Sequence, residues 1–120
     1  MQEQNYREAS RHLLGQAFSE WEQGDLRQAS EKGWGAAAQM VKAVSERRGW
    51  RHRAHPLLTT NIDRLAGETS DNEMRVLFNA ANQLHTNFYE DRLGSEWVEF
   101  NLQQVSLLLD KLEPLSVRGQ

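Results

Sequence analysis

Apolar side chains recur every three or four positions along most of this chain, and short polar breaks cut the recurrence into five segments. The first runs from about Tyr6 to Gln23. Tyr6, Ser10, Leu13, Ala17 and Trp21 form one stripe, widened by Leu14 and Phe18. Gly24 ends it, and Asp25 is placed to cap a second helix whose stop is Gly49, just before Trp50. Along that helix Leu26, Ala29, Gly33, Ala37, Met40 and Val44 share a face. A third helix, about Pro56 to Ala66, turns Leu58, Ile62 and Leu65 inward, with Gly67 as its expected end. After the polar run ETSDN, Ser70 or Asp71 caps a fourth, about Asn72 to Tyr89, with Glu73 near its start. Met74, Leu77, Phe78, Ala81, Leu84, His85 and Phe88 lie on its apolar side. The fifth, about Ser95 to Leu112, presents Val98, Leu102, Val105, Leu109 and Leu112, with Trp97 and Leu108 beside them. Pro114 stops it, and the residues from 113 to 120 read as a tail that frays at SVRGQ.

The breaks are too short for anything but antiparallel neighbours, and no strand pattern or repeat intervenes. The pattern therefore predicts one domain over residues 1–120, core about 6–112, folded as an all-α up-and-down antiparallel bundle of four to five helices. The second helix is the element to build around. Gly33, Gly35 and the run Ala36, Ala37, Ala38 keep its middle small. Each glycine costs a helix roughly 1 kcal/mol relative to Ala, so two of them point to a close approach by a neighbouring helix or a ligand.

Composition narrows the function only by exclusion. With 120 residues and 38% hydrophobic content, a real core is affordable. No Cys is present, which excludes disulfides, thiolate catalysis and Cys-based zinc or iron–sulfur sites. The net charge is −3, no apolar run approaches a membrane span, and the first residues are polar. The expectation is a cytoplasmic protein with no membrane contact.

One turn breaks the acidic background. Arg47, Arg48, Arg51 and Arg53 crowd around Trp50, His52 and His55, and without those four arginines the chain would stand at −7. Such a turn suits a phosphate or an RNA backbone, with Trp50 as a stacking surface. It also suits a solvated helix end whose arginines complement the dipole. His52-x-x-His55 lacks the further ligands of a metal site, so neither metal nor cofactor is expected. The stretch LHTNFYED offers His85, Asn87, Tyr89 and Glu90 as a polar pocket or dimer seam; alternatively His85 and Tyr89 satisfy buried groups and hold two helices in register. Ser30, Glu31 and Lys32 join that site if they face His85 across the bundle. Otherwise Glu31 and Lys32 belong to a solvated face. No nucleophile elbow, phosphate-binding glycine loop or Rossmann fingerprint is present.

The run ASEKGWGAAAQMVKAV, followed by RRGWRHRAH and the distant LHTNFYE, resembles the PaREP family of archaeal and bacterial proteins over about Tyr6 to Leu112. More distantly the layout is similar to the HEPN superfamily of small helical bundles. That resemblance implies a homodimer, a nucleotide or RNA ligand, and a nucleotidyltransferase-type protein partner. The ribonuclease branch of that superfamily carries Arg and His separated by four to six residues. Arg7–His12, Arg47–His52 and Arg48–His55 have this spacing. His85, on the helix that matches the motif-bearing one, does not, because Arg75 lies too far back.

Three functions compete. The leading one is a non-catalytic, dimeric HEPN-like module that binds a nucleotide, RNA or protein partner. Its ligand or interface residues would be Ser30, Glu31, Lys32, His85, Asn87, Tyr89 and Glu90, with Arg47, Arg48, Arg51 and Arg53 as anion contacts. The second is a metal-independent endoribonuclease, with His52 or His55 as general acid or base and Arg47 or Arg48 stabilising the phosphorane. The third is a pure protein-interaction module using exposed Trp and apolar helix edges.

Overall fold

The computed structural model describes residues 2–117. These form five α-helices: α1 (Gln2–Glu22), α2 (Leu26–Arg48), α3 (His55–Thr69), α4 (Glu73–Glu90) and α5 (Ser95–Leu112), followed by a 3-10 turn, Glu113–Ser116. No strand occurs among the described residues. The 23 residues of α2, at 1.5 Å each, span about 35 Å, most of the molecule's 40 Å long axis. All four other helices pack on it.

The ends of α2 are set as its sequence requires. The Asp25 carboxylate accepts from the Gln28 N–H at 3.1 Å. Gly49 takes φ +72°, and the N–H groups of Gly49 and Trp50 return to the carbonyls of Glu46 and Ser45. In its middle Ala29, Gly33, Ala36, Ala37, Met40, Val41 and Val44 are buried. A methyl group at Gly33 would lie 2.5 Å from Leu102 of α5 and 2.9 Å from Leu84 of α4. One at Gly35 would lie 3.2 Å from Leu13 of α1. The small stripe therefore serves helix packing on three sides. Leu58, Ile62 and Leu65 of α3 and Met74, Leu77 and Phe78 of α4 complete the core with Val98, Val105, Leu108, Leu109 and Leu112 of α5.

Three boundaries differ from the sequence expectation. Helix α1 begins four residues before Tyr6. Helix α3 passes through Gly67 and ends at Ser70, which takes the left-handed conformation at φ +55°. Nothing lies near Gly67, and the ladder simply continues past it, with the Thr69 hydroxyl on the Leu65 carbonyl. The chain after Leu112 does not fray through Ser116. Arg7 Nη1 donates to the Ser116 carbonyl at 2.8 Å, Arg11 pairs with Glu113 and Asp110, and Ser116 is fully buried. Arg118, Gly119 and Gln120 lie outside the described residues. Of the tryptophans, Trp21, Trp34 and Trp50 pack half-buried against the core, while Trp97 is exposed.

Candidate functional site

Helix α2 points Trp34, Ala38 and Lys42, four residues apart, along one side. Opposite them α4 presents His85, and the start of α3 presents His55. The ring centroids of Trp34, His55 and His85 form a closed triangle with sides of 4.4, 4.8 and 5.4 Å. A triangle this small places both imidazoles on the same side of the indole rather than on opposite faces. Phe78 backs the indole at 5.9 Å, and Tyr89 meets His85 edge-on at 5.5 Å. Asn82 Oδ1 holds His55 Nε2 at 2.9 Å. Glu31 lies 3.5 Å from His85 Nδ1 without hydrogen-bond geometry, and that buried nitrogen has no other partner among the described residues. The small Ala38 leaves space above the triangle. The result is an open pocket of about 260 Å³, walled by Trp34, Lys42, His52, Arg53, His55 and His85.

This wall is aromatic and cationic together. A planar ring can pack against the surface that Trp34 and His85 leave exposed, and an anion can pair beside it. Sequence reasoning named His52, Arg53, His55 and His85 but not Trp34, Lys42 or Asn82. Trp34 and Lys42 could have been found from the four-residue step Trp34–Ala38–Lys42, once His85 was placed across from it.

The remaining named residues divide by what they touch. Lys32 turns away from His85 and pairs with Glu20 of α1 at 3.1 Å. Ser30 and Asn87 are buried and structural. Asn87 Nδ2 donates to Ser30 Oγ at 3.0 Å, and its Oδ1 accepts the N–H groups of Arg92 and Leu93 at 2.7 Å each. That side chain closes the end of α4 and ties it to α2. Tyr89 is exposed, and Glu90 pairs with Arg92.

In the basic turn, Arg48 pairs with Glu68 and lies over Trp50 at 5.3 Å, while Arg64 covers the same ring at 3.9 Å. Trp50 is therefore already stacked by protein cations. Arg47 is half-buried, with its Nε unpartnered among the described residues. Arg51 and Arg53 are exposed and make no ion pair among the described residues. His52 is 6% exposed, bonded through Nε2 to Glu46 at 2.9 Å, with its edge against Tyr6. Asn61 fixes the turn from below, donating to Ser45 Oγ and the Arg51 carbonyl. Among the described residues no group of three or more potential ligands is placed to hold a metal. No helix among them is long and apolar enough to cross a membrane.

Comparison with known proteins gives one finding. A family model described as the archaeal PaREP1/PaREP8 family matches residues 5–109. None of the curated proteins and none of the solved structures matches the chain.

Proposed function

Because the chain belongs to the archaeal PaREP1/PaREP8 family, we propose that its task is the one its pocket favours: a non-catalytic helical module that binds a ligand of the nucleotide class. One observation carries this reading. The Trp34–His55–His85 triangle shares its pocket with Lys42 and Arg53, so a planar ring and a phosphate find complementary groups side by side. Asn82 orients the His55 imidazole, and Glu31 lies beside that of His85. Arg48, committed to Glu68 and Trp50, takes no part.

The module is cytoplasmic, distantly related to the HEPN superfamily, and works as a homodimer beside a nucleotidyltransferase-type protein. Support for the dimer comes from the outer side of α5, where Trp97, Phe100 and Leu107 are 60%, 50% and 49% exposed on one helix face. An antiparallel two-fold pairing of α5 centred between residues 103 and 104 sets Phe100 of one copy against Leu107 of the other.

The test is calorimetric titration of uridine monophosphate into the protein. Saturable binding is expected. Lys42→Ala or Arg53→Ala should each weaken it roughly ten- to a hundredfold, the worth of one charged hydrogen bond. Arg48→Ala should leave it unchanged. Absence of binding sinks the proposal. A second reading, a metal-independent ribonuclease, is favoured by the 5.4 Å approach of His55 to His85, close enough for an acid and a base to serve one phosphodiester. Cleavage of labelled RNA in EDTA, abolished by His85→Ala, would replace the first reading with this one.

A further inference from the structure

The pocket of Trp34 and His85 has a neighbour. A second, larger opening of about 470 Å³ lies on the other side of the segment between α2 and α3, walled by Glu46, Trp50, Arg51, His52, Arg53 and Leu57. The two openings share His52, Arg53 and Ala54. The segment Arg51–Ala54 is thus a low ridge between them, and a ligand that filled both would have to cross it.

The ridge has unmet donors. The backbone N–H groups of Arg51, His52, Arg53, Ala54 and His55 donate to no protein group among the described residues. Helix α3 starts here without a side-chain cap, since Ala54 occupies the cap position, and Pro56 has no N–H to offer. The positive end of the α3 dipole therefore faces the ridge with no acidic residue in the helix's first turn, while Glu46, the carboxylate at the larger opening, is bonded to His52. Beneath it His52, nine-tenths buried, bonds Glu46 through Nε2, and its enclosed Nδ1 has no partner among the described residues. Above it Arg51 and Arg53 have, among the described residues, no carboxylate partner of the kind that pairs with Arg11, Arg48 and Arg75. Arg51 walls only the larger opening, whereas Arg53 walls both.

A mononucleotide fills one opening and leaves the ridge and Arg51 unused. A strand uses all of them. We propose that the ligand is a single-stranded oligonucleotide, with one nucleotide ring against Trp34, His55 and His85 and its phosphodiester backbone crossing the Arg51–His55 ridge into the second opening. This rests on the nucleotide-class reading of the first pocket and adds the length of the ligand to it. Ring and phosphate together distinguish such a strand from an acidic peptide, which offers charge alone.

The experiment compares uridine monophosphate with fluorescein-labelled oligouridylates of two, four and eight nucleotides, at several salt concentrations. Oligothymidylates of equal length run in parallel, and the tighter series identifies RNA or DNA as the source. The four-nucleotide strand should bind at least tenfold tighter than the monophosphate. The logarithmic salt slope should steepen by about 0.7 for each phosphate engaged. Arg51→Ala should remove most of the gain in affinity and about one phosphate from the slope, while leaving monophosphate binding unchanged. The Arg51 side chain is exposed and its carbonyl still receives Asn61, so this variant keeps the fold. Equal affinity for monophosphate and strand would overturn the inference and leave the nucleotide pocket standing. So would an Arg51→Ala protein that binds strands as the parent does, or polyglutamate competing as well as the strand. Failure of monophosphate and strands alike would overturn both readings.

Discussion

At Gly33 a methyl group has nowhere to go. It would press into Leu102 and Leu84 at once, two side chains that are themselves fully buried. Gly33→Ala should therefore destabilise the protein by about 1–3 kcal/mol, even though alanine is the better helix former. Gly67 sits in a helix with open space around it, so Gly67→Ala should stabilise by about 0.5–1 kcal/mol. Urea unfolding of the two variants reads both signs. A stabilised Gly33→Ala protein would show that α2 does not approach α4 and α5 as closely as described. Asn87 works by a different principle. It satisfies two backbone N–H groups and a buried serine at once, so Asn87→Ala should cost about 1–3 kcal/mol through groups left unpaired. From the sequence, Asn87 and Ser30 looked like ligand contacts. A buried polar side chain and a binding side chain have the same composition, and only their partners separate them.

At the scale of elements, periodicity carried far. The limits of α2 and α5 follow from Asp25, Gly49, Ser95 and Leu112, because caps and apolar registers are local properties. Helix α3 shows where local signals weaken. Glycine permits a stop but does not impose one, and the chain after Gly67 had no competing structure to adopt. The turn after Leu112 escapes local pattern for the opposite reason. Its order depends on Arg7 and Arg11, about a hundred residues earlier, which no local pattern reveals.

A similar long-range tie holds the start of α4 to the end of α5, where Lys111 Nζ reaches Asp71 at 2.8 Å and Glu73 at 3.1 Å. The bond from Lys111 holds the Asp71 carboxyl below the usual aspartate range, and the bonds to Asp71 and then Glu73 hold Lys111 above the usual lysine range. A carboxyl lowered by folding contributes stability above its unfolded value and loses it as pH falls through the folded one. The raised lysine contributes below its unfolded value and loses it as pH rises through the folded one. The tie is thus intact from mildly acidic to mildly alkaline pH and fails only at either extreme. Lys111→Met should move the Asp71 titration, followed by carboxyl NMR, upward toward the ordinary aspartate range, with the Glu73 and Met74 N–H groups still holding it down in part. An unmoved titration would contradict the pairing.

Across the whole molecule, the candidate site is assembled from elements far apart in sequence: Trp34 and Lys42 from α2, Arg53 and His55 before and at the start of α3, His85 from α4. The arginine-dense turn and His85 were visible as unusual residues. Their convergence was not, because it depends on how α3 and α4 cross α2. The same geometry divides the four arginines of the turn. Arg48 is spent on Glu68 and Trp50, whereas Arg51 and Arg53 remain open. If two copies pair through α5, sedimentation should show a concentration-dependent dimer that Leu107→Asp abolishes without loss of helicity. A monomer at all concentrations would remove the dimer from the account.

The most direct test of the pocket is NMR of the tryptophan indole and histidine ring signals during titration with uridine monophosphate. The four indoles and four imidazoles are few enough to assign by single substitutions. Saturable shifts of Trp34, His55 and His85, with Trp97 and His12 unmoved, are the predicted result. Saturating nucleotide that leaves Trp34 and both imidazoles unmoved, or that shifts Trp97 instead, would contradict it.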